Sequence, residues 1–130
     1  MWRFVVPVVL AVLCSAEKGR LLGGAIDVDL SGDAGAQSAL NFAVVEHNRA
    51  RNGLYLTRPA EVISATKQLV AGYMYTFTVR MGTTPCRRNA ANETCAVHAD
   101  PAMAQPYQCE FKVWDRPWMS EIELKKEECT

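Results

Sequence analysis

Tyr73, Tyr75, Phe77, Val79 and Met81 alternate with Met74, Thr76, Thr78 and Arg80, and this two-residue period constrains the fold more than any other feature. Large apolar side chains on every second residue describe a half-buried strand, one face on a core and the other toward solvent. The segment 60–66, rich in β-branched and small residues, reads as a second strand just before it. Between the two lies Gln68-Leu69-Val70-Ala71-Gly72. Gly72 marks the turn, because glycine reaches positive φ without steric cost. Hairpin tips are usually polar, and this one is not. Leu69 and Val70 either continue the buried strand or form an apolar surface made to be covered by a partner.

The amino-terminal end sets the compartment. Met1-Trp2-Arg3 is followed by an almost wholly apolar run to Leu13 and then Cys14-Ser15-Ala16. A basic start, a short apolar run and small residues before the cut describe a secretory signal peptide spanning 1–16. The run is well short of the ~20 apolar residues that cross a bilayer. Cleavage after Ala16 leaves a chain that starts at Glu17 and is long enough for one domain with a modest core. It removes Arg3 from 14 basic side chains and leaves all 14 acidic ones, so the mature chain is slightly acidic. No basic stripe points to nucleic acid and no charge run points to a membrane surface.

Cleavage also removes Cys14, leaving Cys86, Cys95, Cys109 and Cys129. An even number in a secreted chain reads as two disulfides, with three connectivities open. Sequential pairing is favoured, because Cys86 and Cys95 flank a short polar loop while Cys109 and Cys129 bracket a hairpin. Each closed loop contributes roughly 3 kcal/mol when unstrained. A zinc site built on Cys95 and His98 is disfavoured, since an oxidising compartment consumes the thiols. No metal or other cofactor is expected. Asn92-Glu93-Thr94 is an N-glycosylation sequon, which places that loop at the surface.

Residues 17–25 read as a flexible arm ending in Leu21-Leu22-Gly23-Gly24, and 26–130 as the folded domain. Asp27 to Gly32 is a turn-rich lead-in, and Asp33 is the expected N-cap of a helix over 34–51. In that helix Ala36, Leu40, Ala43, Val44 and Ala50 share a face, and Asn52-Gly53 provides the stop. The stretch 82–106 holds Pro85, Pro101 and Pro106 and reads as a long loop. Final strands are expected over 107–114 and 119–126, joined at Asp115-Arg116-Pro117-Trp118. One helix wrapped by a sheet of antiparallel strands is an α+β arrangement.

Gly23-Gly24 near the mature start, Gln68-Leu69-Val70-Ala71-Gly72 at one hairpin and Pro117-Trp118 at another appear in that order, with four cysteines in the last third. Together they resemble the cystatin family, in its secreted, disulfide-bonded type 2 branch, over about Leu21 to Cys129. The family's Gln-x-Val-x-Gly pattern is complete. The resemblance implies the cystatin fold, one long helix wrapped by a curved four- to five-stranded antiparallel sheet. It also implies reversible, tight, 1:1 inhibition of papain-like cysteine proteases (cathepsins) by a wedge of the arm and two hairpin tips. By that resemblance Leu22 enters the hydrophobic S2 subsite, with Leu21 beside it. Gly23 turns the backbone away before a peptide bond reaches the catalytic cysteine. Gln68, Leu69, Val70, Ala71 and Gly72, with Pro117 and the aromatic anchor Trp118, occupy the primed side. Trp118 could instead cap the core, a role that suits Trp114 better.

Some family members also inhibit legumain-type proteases through a Ser-Asn-Asp segment after the helix. Here it reads Arg51-Asn52-Gly53, so Asn52 is retained while both neighbours depart from the pattern. An enzyme is not expected: no P-loop, GxSxG or HExxH occurs, disulfides leave no thiol beside His98, and His47 has no evident partner. The competing reading is a secreted cystatin-fold protein that binds something else, as an antimicrobial or carrier module. A monomer is expected, with a domain-swapped dimer open to it through the first hairpin.

Overall fold

The computed structural model describes residues 24–88 and 95–130. The chain forms a two-residue strand β1 (Ile26–Asp27), a 3-10 turn (Leu30–Gly32), the helix α1 (Ala34–Ala50) and the long strands β2 (Tyr55–Val70) and β3 (Gly72–Arg87). A short helix α2 (Pro101–Ala104) leads into β4 (Tyr107–Arg116), a 3-10 turn (Pro117–Met119) and β5 (Glu121–Cys129). The strands build one antiparallel sheet in the order β1-β2-β3-β4-β5, so the α+β expectation holds.

The alternation in β3 does what its period requires. Phe77, Val79 and Met81 are fully buried and Tyr75 nearly so. They meet Val113, Phe111 and Cys109 of β4 across the register Tyr75↔Val113, Phe77↔Phe111 and Val79↔Cys109. The helix offers this layer Ala36, Ala39 and Ala43, all at 0% exposure, together with Val44 and His47. Methyl side chains let a helix approach a sheet of large rings closely, which is why an alanine-rich face serves here. Ala50, expected on that face, is exposed. Three register shifts in β2, between Tyr55 and Thr57, Pro59 and Glu61, and Val62 and Ser64, add the twist that curves the sheet around the helix.

Asp33 is the N-cap, its carboxylate accepting a hydrogen bond from the Ala36 N–H at 3.0 Å and from Lys67 Nζ at 3.1 Å. The helix end differs from expectation. It stops at Ala50, and the cap residue Arg51 is extended. Gly53 does not adopt a positive φ. The stop comes from Arg88, whose guanidinium donates to the carbonyl oxygens of Asn48 (2.8 Å), Gly53 (3.2 Å) and Arg51. A cation on the last carbonyls satisfies orphan acceptors and complements the helix dipole.

The long loop expected over 82–106 is also corrected. Gly82 to Arg87 continue β3, with exposed Pro85 tolerated near its end, and Pro101–Ala104 form a helical turn capped by Asp100. Pairing with β2 down to Tyr55↔Arg87 outweighs the turn signals of this stretch. The bridges are Cys86–Cys95 and Cys109–Cys129, the sequential pairing. His47, far from lacking a partner, is buried with Nδ1 2.5 Å from Glu127 Oε2 and Nε2 2.7 Å from the Tyr107 hydroxyl. Tyr107 in turn donates to Thr57 Oγ1, and Thr57 is clasped by the Asn48 amide. These bonds join α1, β2, β4 and β5 at the end of the sheet where β2 begins.

The bonds from the Ala36 N–H and then Lys67 hold the Asp33 carboxyl below its ordinary value of 3.8. A carboxyl lowered by folding stabilises fully above its unfolded value, and this is lost as pH falls through the lower, folded value. Asp33→Ala is therefore expected to cost about 1 kcal/mol in urea unfolding at pH 7. The difference from the parent should shrink below about pH 4; an undiminished difference at pH 2 would contradict this cap.

Candidate functional site

Two hairpin tips stand side by side at one end of the sheet. The first joins β2 to β3 through Val70, Ala71 and Gly72, with Leu69 opposite Tyr73. Gly72 has φ +98°, and a Cβ placed there would fall 2.4 Å from the Asp115 carbonyl oxygen. Glycine is needed both for its conformation and for the closeness of β4. The second tip joins β4 to β5 through the 3-10 turn Pro117–Met119, closed by Ser120 in the left-handed region with its N–H on the Pro117 carbonyl at 3.0 Å. Pro117 occupies the first position of that turn, where its fixed φ fits.

Leu69 and Val70 continue the strand but are not buried in it. The strand does run to Val70, yet Leu69 is 68% exposed and Val70 lies at the surface. Gln68 is half-buried opposite Met74. Trp118 is 64% exposed, which removes it from any core-capping role. Met119 and Ile26, which the sequence pattern did not single out, are exposed beside these residues in the fold: Met119 follows Trp118, and Ile26 pairs with Lys67 one residue before Gln68. Their only sequence signal is adjacency to the motifs. Ile26, Gln68 to Gly72 and Pro117 to Met119 form an edge without a formal charge.

Trp114, on the strand that leads to the second tip, bonds the first. Its indole N–H donates to the Ala71 carbonyl at 2.8 Å, and the Arg116 guanidinium lies 3.9 Å over its ring. Arg116 is held in turn by Glu121 at 2.9 Å and Glu123 at 2.6 Å. Trp114 is thus only half-buried, not the core residue its apolar ring suggested. Beside the first tip Lys67 stacks 4.6 Å from the Tyr73 ring, and its bond to Asp33 raises its ammonium above the ordinary lysine value.

Asn52 is exposed in the connection between α1 and β2, next to the Arg88 clasp and at the opposite end of the sheet from the tips. The two ends are separated by the 16 residues of β2, on the order of 50 Å along the strand. Leu21, Leu22, Gly23 and the sequon residue Asn92 lie outside the described residues. Among the described residues, His47, Cys109 and Cys129 are the one group with clustered ligand atoms, and both cysteines are spent in a disulfide. Cys95 is likewise bonded, so it offers neither a zinc ligand nor a nucleophile beside His98.

Residues 23–118 match the model of the cystatin domain. The chain is 48% identical to a cystatin of Oncorhynchus keta over 98% of its own length and 97% of the relative's. It is 44% identical to a cystatin-C of Paralichthys olivaceus over 98% and 99%. Dimeric human cystatin F superposes with a TM-score of 0.73 at 24% identity, covering 83% of this chain and 86% of that one, a likeness of fold. The structure described as Al-CPI gives a TM-score of 0.66 at 27% identity, over 83% and 100%. A sheet wrapped on one helix, two bridges in the carboxy-terminal half and relatives matched almost end to end lead to one conclusion: this chain belongs to the cystatin family.

Proposed function

We propose that this protein is a secreted, reversible, tight-binding inhibitor of papain-like cysteine proteases. The observation that carries the reading is the pair of exposed apolar tips, Leu69–Ala71 and Pro117–Met119, standing side by side at one end of the sheet. A thin, preformed, uncharged edge suits a cleft, because little entropy remains to be lost on docking. Family membership supports the same reading. The two disulfides fit an oxidising, extracellular setting.

The arm completes the wedge. Pairing of Ile26 with Lys67 and Asp27 with Thr66 is antiparallel, so the chain approaches β1 from the side of the tips. Leu22 then supplies the apolar group for the S2 subsite, Leu21 its neighbour, and Gly23 the backbone turn that denies the enzyme a well-placed scissile bond. Val70 and Trp118 fill the primed side, while Ala71 and Gly72 permit close backbone approach. The inhibitor performs no chemistry. Its effect is occupancy of the cleft, and a nanomolar Kd requires about −12 kcal/mol in total. Asn52 is proposed as a separate legumain-binding residue at the far end. Asn92, next to the Cys86–Cys95 bridge in sequence, is proposed as a glycosylation site.

Titrating papain or a cathepsin with the oxidised chain from Glu17 should reach an endpoint at one inhibitor per enzyme. Absence of inhibition would overturn the proposal and favour a cystatin-fold protein with another ligand. Starting the chain at Gly23 should weaken binding by roughly 10- to 150-fold, the value of one buried leucine side chain.

Trp118→Ala is expected to raise Ki about 30-fold, corresponding to roughly 2 kcal/mol. An unchanged Ki would remove Trp118 from the contact surface.

Asn52→Lys should abolish legumain inhibition and leave papain inhibition unaltered, as sites at opposite ends require. If the parent does not inhibit legumain, the second site is absent.

A further inference from the structure

We infer that Trp114 is a positioning residue of the wedge: its indole clips the first tip to the second, so that both meet a protease as one edge. The inference rests on the inhibitory reading above. Trp114 lies in β4 opposite Met74, two residues along the strand from the second tip. Its side chain nevertheless reaches the first tip, donating at 2.8 Å to Ala71, the residue between the paired ends Val70 and Gly72. Ala71 stands at the turn, outside the paired strand residues, and its carbonyl oxygen accepts from the Trp114 ring.

The ring is itself fixed. Arg116 stacks on one side at 3.9 Å, its guanidinium anchored by carboxylates of β5, and Lys125 lies 5.5 Å from the ring centre. A guanidinium over an indole face is attracted by the ring quadrupole, and ion pairs that immobilise the cation hold the ring as well. The linkage runs from Glu121 and Glu123 through Arg116 and Trp114 to the backbone of the other hairpin. Tyrosine or phenylalanine would fill the same place but carries no ring N–H for the Ala71 oxygen.

A positioning role has a kinetic signature distinct from direct contact. Releasing the clip lets the first tip leave the docking-ready arrangement in the free inhibitor, and apparent affinity falls by the fraction still competent. Once bound, the tip is held by the cleft. The loss therefore appears in the association rate, whereas removal of a contact residue speeds dissociation.

The test compares the mature parent with Trp114→Phe in stopped-flow binding to papain, alongside Phe111→Leu as a core variant of reduced stability remote from the tips. Trp114→Phe should slow association about 3- to 10-fold, the equivalent of one hydrogen bond, with dissociation within twofold of the parent. Phe111→Leu should leave association unchanged. In the free protein, the indole N–H of Trp114 should exchange with solvent at least tenfold more slowly than that of Trp118, and Arg116→Gln should accelerate it. Equal exchange at the two indoles, or unchanged association in Trp114→Phe, would overturn the clip. A change confined to dissociation would instead make Trp114 a contact residue and overturn it too. If the parent inhibits no papain-like protease, the functional proposal fails, and the exchange comparison alone decides whether the tips are joined.

Discussion

Everything in this molecule rests on the packing of three helical alanines, Ala36, Ala39 and Ala43, against the aromatic and aliphatic row of β3 and β4. Their small size allows α1 to sink into the sheet, so Tyr75, Phe77, Val79 and Phe111 form one buried layer with no second sheet to close it. A flat sheet could not cover the helix. The irregularities along β2 and the shift between Lys112 and Val113 supply the curvature, and the curved sheet carries both hairpins past the end of the helix. The tips can be exposed and narrow because the core does not depend on them.

The parts of this design that sequence reveals are those with a local cause. The period of two in β3 announces its buried face, and Asp33 and Gly72 announce a cap and a turn through requirements of their own backbone. Long-range causes stay hidden. Nothing near Ala50 shows that Arg88 will end the helix, since 38 positions separate them. The extension of β3 to Arg87 comes from pairing with β2 and overrides the prolines and glycine that suggested a loop. Trp114 looks like a core residue because its ring is large and apolar, and only the fold brings its N–H to Ala71. His47 likewise gains its partners from β4 and β5. At the tips the turn at Gly72 and the hairpin at Pro117-Trp118 were legible, while the exposure of their neighbours Ile26 and Met119 emerged only once strands and turns placed them there.

The two ends of the sheet have different tasks. At the base, both disulfides, the Arg88 clasp and the His47, Tyr107, Thr57 and Asn48 bonds concentrate polar and covalent constraint. At the other end, Gly72, the Pro117 turn and the Trp114 hydrogen bond shape the tips, with the ion pairs of Lys67 and Arg116 beside them. Rigidity is built where sequence-distant segments meet, and the opposite end is left with surface to offer.

That surface carries no formal charge, from Ile26 through Gln68–Gly72 to Pro117–Met119, and this governs how it finds a partner in solution. The apolar contact itself adds no long-range attraction, so steering of any partner falls to the charges that flank it, among them Lys67, Arg116 and Glu121. Ionic strength, which screens charges over roughly 10 Å at 0.1 M salt, then has little hold on the edge itself. Salt therefore acts on those flanking charges rather than on the apolar contact.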